Sequence, residues 1–162
     1  ALLDYNKASE FGSQHAFVFN NIGSVKKMLK DYEGARNAFS KAISLDAKFF
    51  MAYNNRGAMN LEQGKPTEAL RDFEKAIELN PKYAPAYNNR GIVKHNNKDY
   101  KGAIEDFNKA ISLDSNYGDA YANRAAAYEM SRDMVKACAD WGKAAELGSA
   151  LGKLYHSGNC EY

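Results

Sequence analysis

The chain has 162 residues and a mass of 18.0 kDa, and it carries 22 lysines and arginines against 20 aspartates and glutamates, a formal net charge of +2. So weak a field gives no general attraction to nucleic acid or to an anionic membrane. The longest apolar runs are a few residues, far short of the roughly 20 that a membrane-spanning helix needs.

From the first residue the sequence repeats itself. "ALLDYNKASE" at Ala1 returns as "ALRDFEKAIE" at Ala69 and "AIEDFNKAIS" at Ala103, and more loosely at Ala35 and Ala137. These alanines are 34 residues apart, a step that marks a repeat architecture. Counted from Ala16, Phe50, Ala84 and Gly118, the fourth place of each repeat is Phe19, Tyr53, Tyr87 or Tyr121, and the eighth is Gly23, Gly57, Gly91 or Ala125. A large ring and a minimal side chain recur together.

The second half of each repeat carries Ala35, Ala69, Ala103 or Ala137, then an aromatic (Phe39, Phe73, Phe107, Trp141), then Ala42, Ala76, Ala110 or Ala144. Spacings of three and four place these on one helical stripe. Between the halves, Asp31, Asp99 and Asp133 are placed to cap a second helix, and Pro66 to open one. In the second repeat the pattern predicts helix A from about Met51 to Gln63 and helix B from Pro66 to Leu79, ended by Asn80-Pro81. A single hairpin cannot bury its apolar face alone, so stability is expected from stacking neighbours.

The seventh place is Ile22, Arg56, Arg90 or Arg124, and the twenty-third is Ala38, Asp72, Asp106 or Asp140. Charge stands in both places or in neither. This predicts three ion pairs within repeats, Arg56 with Asp72, Arg90 with Asp106 and Arg124 with Asp140, with the arginine stems packing as apolar side chains do; the alternative, that the arginines bind an acidic ligand, would need no matching aspartate.

The ring, the small residue at the eighth place and the Ala-aromatic-Ala series over 34 residues resemble the tetratricopeptide repeat family, and "YNNRGAMN" through "ALRDFEKAIELNP" is the copy nearest its pattern. The resemblance implies an all-α, right-handed solenoid of antiparallel helix pairs. The expected organisation is helix B of an incomplete repeat over 1–15, repeats over 16–49, 50–83, 84–117 and 118–148, and a capping segment and tail over 149–162. The first ten residues read as helix B without its helix A, which suggests a fragment of a longer repeat protein. Leu2, Leu3 and Tyr5 would otherwise offer an apolar face for self-association. Tyr155 and Tyr162 fall on the fourth and eleventh places of a fifth repeat, and a short helix from about Ala150 to Tyr155 is expected there.

In this family the helices A line a concave groove. The sixth place, which the resemblance points into that groove, is asparagine throughout: Asn21, Asn55, Asn89 and Asn123; the fifth is Asn20, Asn54, Asn88 or Ala122. Asparagine is a poor interior helix residue, so helix propensity does not ask for it. A row of carboxamides can bond the N–H and C=O groups of an extended peptide whatever its side chains, similar to the asparagine ladder of some superhelical members. The plainer reading is that these amides bond neighbouring backbone or face water. Met28, Met51 and Met130 add an adaptable lining. Domains that clamp acidic chaperone C-termini need lysines and an arginine at groove places where this chain has Asn20, Pro85 and Asn89, so that ligand is not expected.

No phosphate-binding glycine loop and no His-Glu-x-x-His motif occurs, and His15, His95 and His156 lie in separate repeats. No catalytic residue, metal site or cofactor is indicated. Cys138 and Cys160 make no zinc pattern; they could pair only in an oxidising compartment and if the tail folds back. The expected role is a non-enzymatic scaffold that binds a protein or peptide, without nucleic acid or membrane insertion, in a compartment left open. The alternatives are a substrate-recruiting arm of a larger enzyme and a permanent structural subunit of an assembly.

Overall fold

The computed structural model describes residues 15–160, and among them every regular element is a helix. Four helix pairs follow one another: α1 (Ala16–Met28) with α2 (Tyr32–Leu45), α3 (Phe50–Glu62) with α4 (Pro66–Leu79), α5 (Ala84–Asn96) with α6 (Tyr100–Leu113), and α7 (Gly118–Met130) with α8 (Met134–Glu146). A last helix, α9 (Ala150–Asn159), closes the series. The helix expected over 1–15 falls, apart from His15, outside the described residues, as do Leu2, Leu3, Tyr5 and Tyr162. The chain divides into two compact modules, one ending at Pro81 and the other beginning at Lys82.

Each helix pair is joined by a short turn in which one residue adopts the left-handed conformation: Lys30 (φ 61°), Gly64 (φ 71°), Lys98 (φ 64°) and Arg132 (φ 62°). That residue ends helix A, and in three of the four pairs an aspartate then starts helix B. The side chains of Asp31, Asp99 and Asp133 accept the backbone N–H of Gly34, Gly102 and Lys136, while Pro66 fills the first turn of α4.

Packing within a pair follows from the small residues. Ala35, Ala69, Ala103 and Ala137 are fully buried, and so, to within 1%, are Phe39, Phe73, Phe107 and Trp141. Opposite each phenylalanine the partner helix has a glycine; a Cβ on Gly23, Gly57 or Gly91 would lie 2.6–2.7 Å from the ring. The ring therefore rests on helix backbone, and the two axes approach as closely as an aromatic thickness allows.

In the module ending at Pro81, α2 packs on α3 and α1 on α3, with Met59 of α3 buried against Ala35 and Phe39 of α2. In the module beginning at Lys82, Ala127 of α7 meets Ala103 and Phe107 of α6 in the same way, and α9 packs on α8 and α7. Helix α9 runs to Asn159, four residues past the expected end at Tyr155. Three contacts hold it: Gly152 sits against Ala144 and Ala145, Tyr155 stacks on Trp141 with ring centroids 5.5 Å apart, and Cys160 forms a disulfide with Cys138 (Cα–Cα 5.5 Å).

Candidate functional site

The helices A present one face built by α1 and α3 in the first module and another built by α5 and α7 in the second. The sixth-place residues Asn21, Asn55, Asn89 and Asn123 are half-buried there, and the fifth-place residues Asn20, Asn54 and Asn88 are buried. The two series are connected. Asn55 donates from Nδ2 to Asn20 Oδ1 at 2.9 Å, and Asn123 donates to Asn88 Oδ1 at 2.9 Å. Each of these sixth-place amides is thus oriented by the fifth-place amide of the preceding helix A. A weaker contact of 3.5 Å joins Asn54 Nδ2 to Asn55 Oδ1. Met28, Met51 and Met130 are exposed, Met28 most of all at 72%.

Beside each oriented asparagine lies a small pocket. In the first module Asn55 shares a pocket of about 130 Å³ with Ser24, Lys27, Ala58 and, at its base, Phe39. In the second, Asn123 shares one of about 170 Å³ with Ile92, His95, Asn96, Ala126 and Phe107. Asn55 and Asn123, Ala58 and Ala126, and Phe39 and Phe107 each occupy the same place two repeats apart. The same site is therefore built twice.

The walls differ in chemistry. Lys27 Nζ stands 3.4 Å from Glu62 Oε2, and Tyr32 donates its hydroxyl to Glu62 Oε1 at 3.0 Å, a bond that holds the phenol above its usual range. At the other pocket the His95 ring meets Tyr100 edge-on at 5.4 Å, and its buried Nε2 has no hydrogen-bond partner. Burial pushes the phenol of Tyr117 up to about 12, and Asn88 is its side-chain hydrogen-bond partner.

The arginines lie between the helices of a pair. Arg56 donates from Nε and Nη2 to the two oxygens of Asp72 at 2.9 and 2.7 Å; Arg90 does the same to Asp106 at 2.9 and 2.7 Å, and Arg124 to Asp140 at 2.7 Å each. The Asp72 bond holds Arg56 above its ordinary range against the opposing effect of burial. Each guanidinium also lies over the fourth-place ring of its own helix, Tyr53, Tyr87 or Tyr121, at 5.4–5.7 Å. Sequence reasoning missed this third partner, although a tyrosine stands in every repeat that has the arginine and a phenylalanine, Phe19, in the one that lacks it.

The family model of the tetratricopeptide repeat matches residues 50–83 and 84–117, and a second model of the same repeat matches residues 18–49, together well over half of the chain. The chain belongs to the tetratricopeptide repeat family. Among solved structures, this tetratricopeptide-repeat chain is similar to a crystal structure of MamA, at 25% identity, over 94% of this chain and 89% of that one, with a TM-score of 0.75. It is also similar to MamA 41-end from Desulfovibrio magneticus RS-1, at 23% identity over 90% and 82% of the two chains, with a TM-score of 0.74. A chain of the APC/C hetero-tetramer Cut9-Hcn1 shares the fold at 17% identity and a TM-score of 0.85, over 97% of this chain and 32% of that one. No curated protein matches the chain. Membership of this tetratricopeptide family gives the coarse role of a protein-interaction scaffold. No helix among the described residues is long and apolar enough to cross a membrane.

Proposed function

We propose that the chain is a non-enzymatic scaffold whose helix-A faces, one in each module, hold extended peptide of a partner protein. One observation carries this reading: a pocket walled by a sixth-place asparagine occurs twice, two repeats apart, and in both cases a buried fifth-place asparagine fixes that amide. A carboxamide already held by one hydrogen bond keeps a second N–H and its carbonyl for a ligand, with little rotamer entropy left to lose. Asn55 and Asn123 would bond the peptide backbone, and Asn20 and Asn88 would position them. The pockets beside them, each with room for one modest side chain, would select sequence, one through Lys27 and Ser24 and the other through His95 and Ile92. Exposed Met28, Met51 and Met130 would provide an adaptable margin.

Selection of a random peptide library on the purified protein tests this. Peptides that bind are expected to lose at least about tenfold in affinity against Asn55→Ala/Asn123→Ala, with the circular dichroism spectrum and melting midpoint unchanged. Retention of full affinity by the folded double variant would refute a role for the asparagines in binding.

A further inference from the structure

A different cleft, outside the asparagine-lined face, lies within the first module among α2, α3 and α4. It measures about 330 Å³ and is lined by Arg36 and Ser40 of α2, Arg56 and Asn60 of α3, and Glu68, Arg71 and Asp72 of α4. Three arginines from three helices meet there. Arg56 is committed to Asp72 and gives its remaining Nη1 to Ser40 Oγ at 3.2 Å. Arg36 donates Nη2 to the neutral Gln63 at 3.0 Å and forms no ion pair with a carboxylate among the described residues. Arg71 of α4 is exposed, and so is Glu68, one turn before it.

The chain contains its own control for this cleft, 68 residues further on in the second module. There Tyr128 stands in the place of Asn60, and its ring lies 5.9 Å from the Arg124 guanidinium and 5.3 Å from Lys136 Nζ. Asn108, in the place of Ser40, accepts from Arg124 Nη1 at 2.6 Å, so the arginine is anchored alike in both modules. The walls differ as the plug does: Ile104 and Ala139 stand where the first module has Arg36 and Arg71. Where the ring is present, those two places are apolar and the one charged newcomer, Lys136 in the place of Glu68, lies over the ring. Where Asn60 leaves the space open, two guanidiniums line it. The amide that replaces the ring also has a buried Oδ1 with no hydrogen-bond partner, although its Nδ2 reaches Asp72 at 3.2 Å. An opened, polar and incompletely bonded space is a cost to stability that packing alone gives no reason to keep.

We propose that this cleft binds a phosphate group. Guanidinium forks match phosphate oxygens in pairs, and Arg36 and Arg71 bring two such forks to the cleft from different helices, α2 and α4. Arg36 and Arg71 supply the binding charge; the Arg56–Asp72 pair cancels itself, and Glu68 leaves the lining with a net charge of one positive unit. The group could be free or carried on a phosphorylated side chain.

The test is a titration of the ¹⁵N-labelled protein with inorganic phosphate at constant ionic strength, observing the arginine Nε–Hε signals and the amides of Ser40, Asn60 and Arg71. Saturable shifts confined to these residues are expected, with a dissociation constant on the order of 1 mM and no movement at Ile104, Tyr128 or Ala139. Three substitutions borrow the residues of the second module: Arg36→Ile and Arg71→Ala should each weaken binding at least about tenfold, and Asn60→Tyr should abolish it. If Asn60→Tyr does not fold, the exposed Arg71→Ala carries the test. Phosphoserine titrated alongside separates the two sources: tighter binding of the ester points to a modified side chain, tighter binding of the inorganic ion to a free ligand. Shifts that grow linearly without saturation, or that persist unchanged in Arg71→Ala, would overturn the proposal.

Discussion

Replacing Asp106 by alanine should destabilise the protein by about 2 kcal/mol, and adding Arg90→Ile to that variant should recover most of the loss. Asp106 is 4% exposed and receives Arg90 Nε and Nη2 at 2.9 and 2.7 Å and Lys94 Nζ at 2.8 Å. Its removal leaves two cations side by side between α5 and α6. Breaking a fully buried pair costs roughly 3–5 kcal/mol, but both cationic side chains here are more than a fifth exposed and can turn toward water, which reduces the figure to about 2. The first repeat shows what the doubly substituted site would look like. There Ile22 and Ala38 stand in these places, both buried beside Val18, and Lys26, in the place of Lys94, turns to Asp31 at 3.0 Å. Asp99 is the equivalent of Asp31, so Lys94 has an alternative partner ready. The double variant should therefore melt within about 1 kcal/mol of the parent, a coupling of at least about 1 kcal/mol. For a chain of this length 2 kcal/mol corresponds to a melting shift of roughly 4–8 °C. Thermal melts by circular dichroism on the parent, both single variants and the double variant measure it. A double variant as unstable as Asp106→Ala, or an Asp106→Ala that melts with the parent, would refute the reasoning.

Lys98 holds a left-handed conformation at φ 64° where the second repeat has Gly64, so Lys98→Gly should raise stability by about 0.5–1 kcal/mol in a urea melt, whereas Gly64→Ala should lower it by a similar amount. Reduction of Cys138–Cys160, with a sequence separation of 22, releases a constraint worth about 3 kcal/mol on the chain-entropy estimate. A reducing agent should accordingly lower the melting midpoint and accelerate amide exchange in α9, with exchange in α1–α4 unchanged. Tyr117 ionises at about 12 in the fold, chiefly because burial disfavours the phenolate, against about 10 in an unfolded chain. A raised acid stabilises the fold fully below pH 10 and loses that contribution as pH rises from about 10 to 12. Urea midpoints should decline over that window, and Tyr117→Phe should flatten the decline.

The repeat was legible because its signals are local and redundant. A 34-residue period returns the same small residue, ring and capping aspartate, and each signal reports on one turn or one helix pair. The Arg–Asp pairs were legible for a related reason: the first repeat, with Ile22 and Ala38, makes the charged positions vary together within one chain. The length of α9 was not. Gly152 and Gly158 are poor helix formers, yet Gly152 is what lets α9 lie on Ala144 and Ala145. The stacking of Tyr155 on Trp141 and the disulfide at Cys160 then offset the weak propensity of its last turns. The link between the two asparagine series was also hidden, because Asn20 and Asn55 are 35 residues apart and meet only through the register of stacked helices A. The cleft beside Arg36 and Arg71 sat in plain view as Asn60 in a place that holds Tyr128 in the fourth repeat, but the sequence showed a departure without showing that it left a space.

The central claim is that peptides bind through Asn55 and Asn123, and side-chain amide chemical shifts test it most directly. A peptide selected on the protein, titrated into the ¹⁵N-labelled chain, should move the Nδ2 signal of Asn55, of Asn123 or of both, in a saturable way. Signals on α4 and α8, and those on α2 and α6 away from Phe39 and Phe107 in the pocket walls, should stay in place. If the shifts cluster on those helices while both asparagine signals remain still, the helix-A face is not the binding surface and the account is wrong.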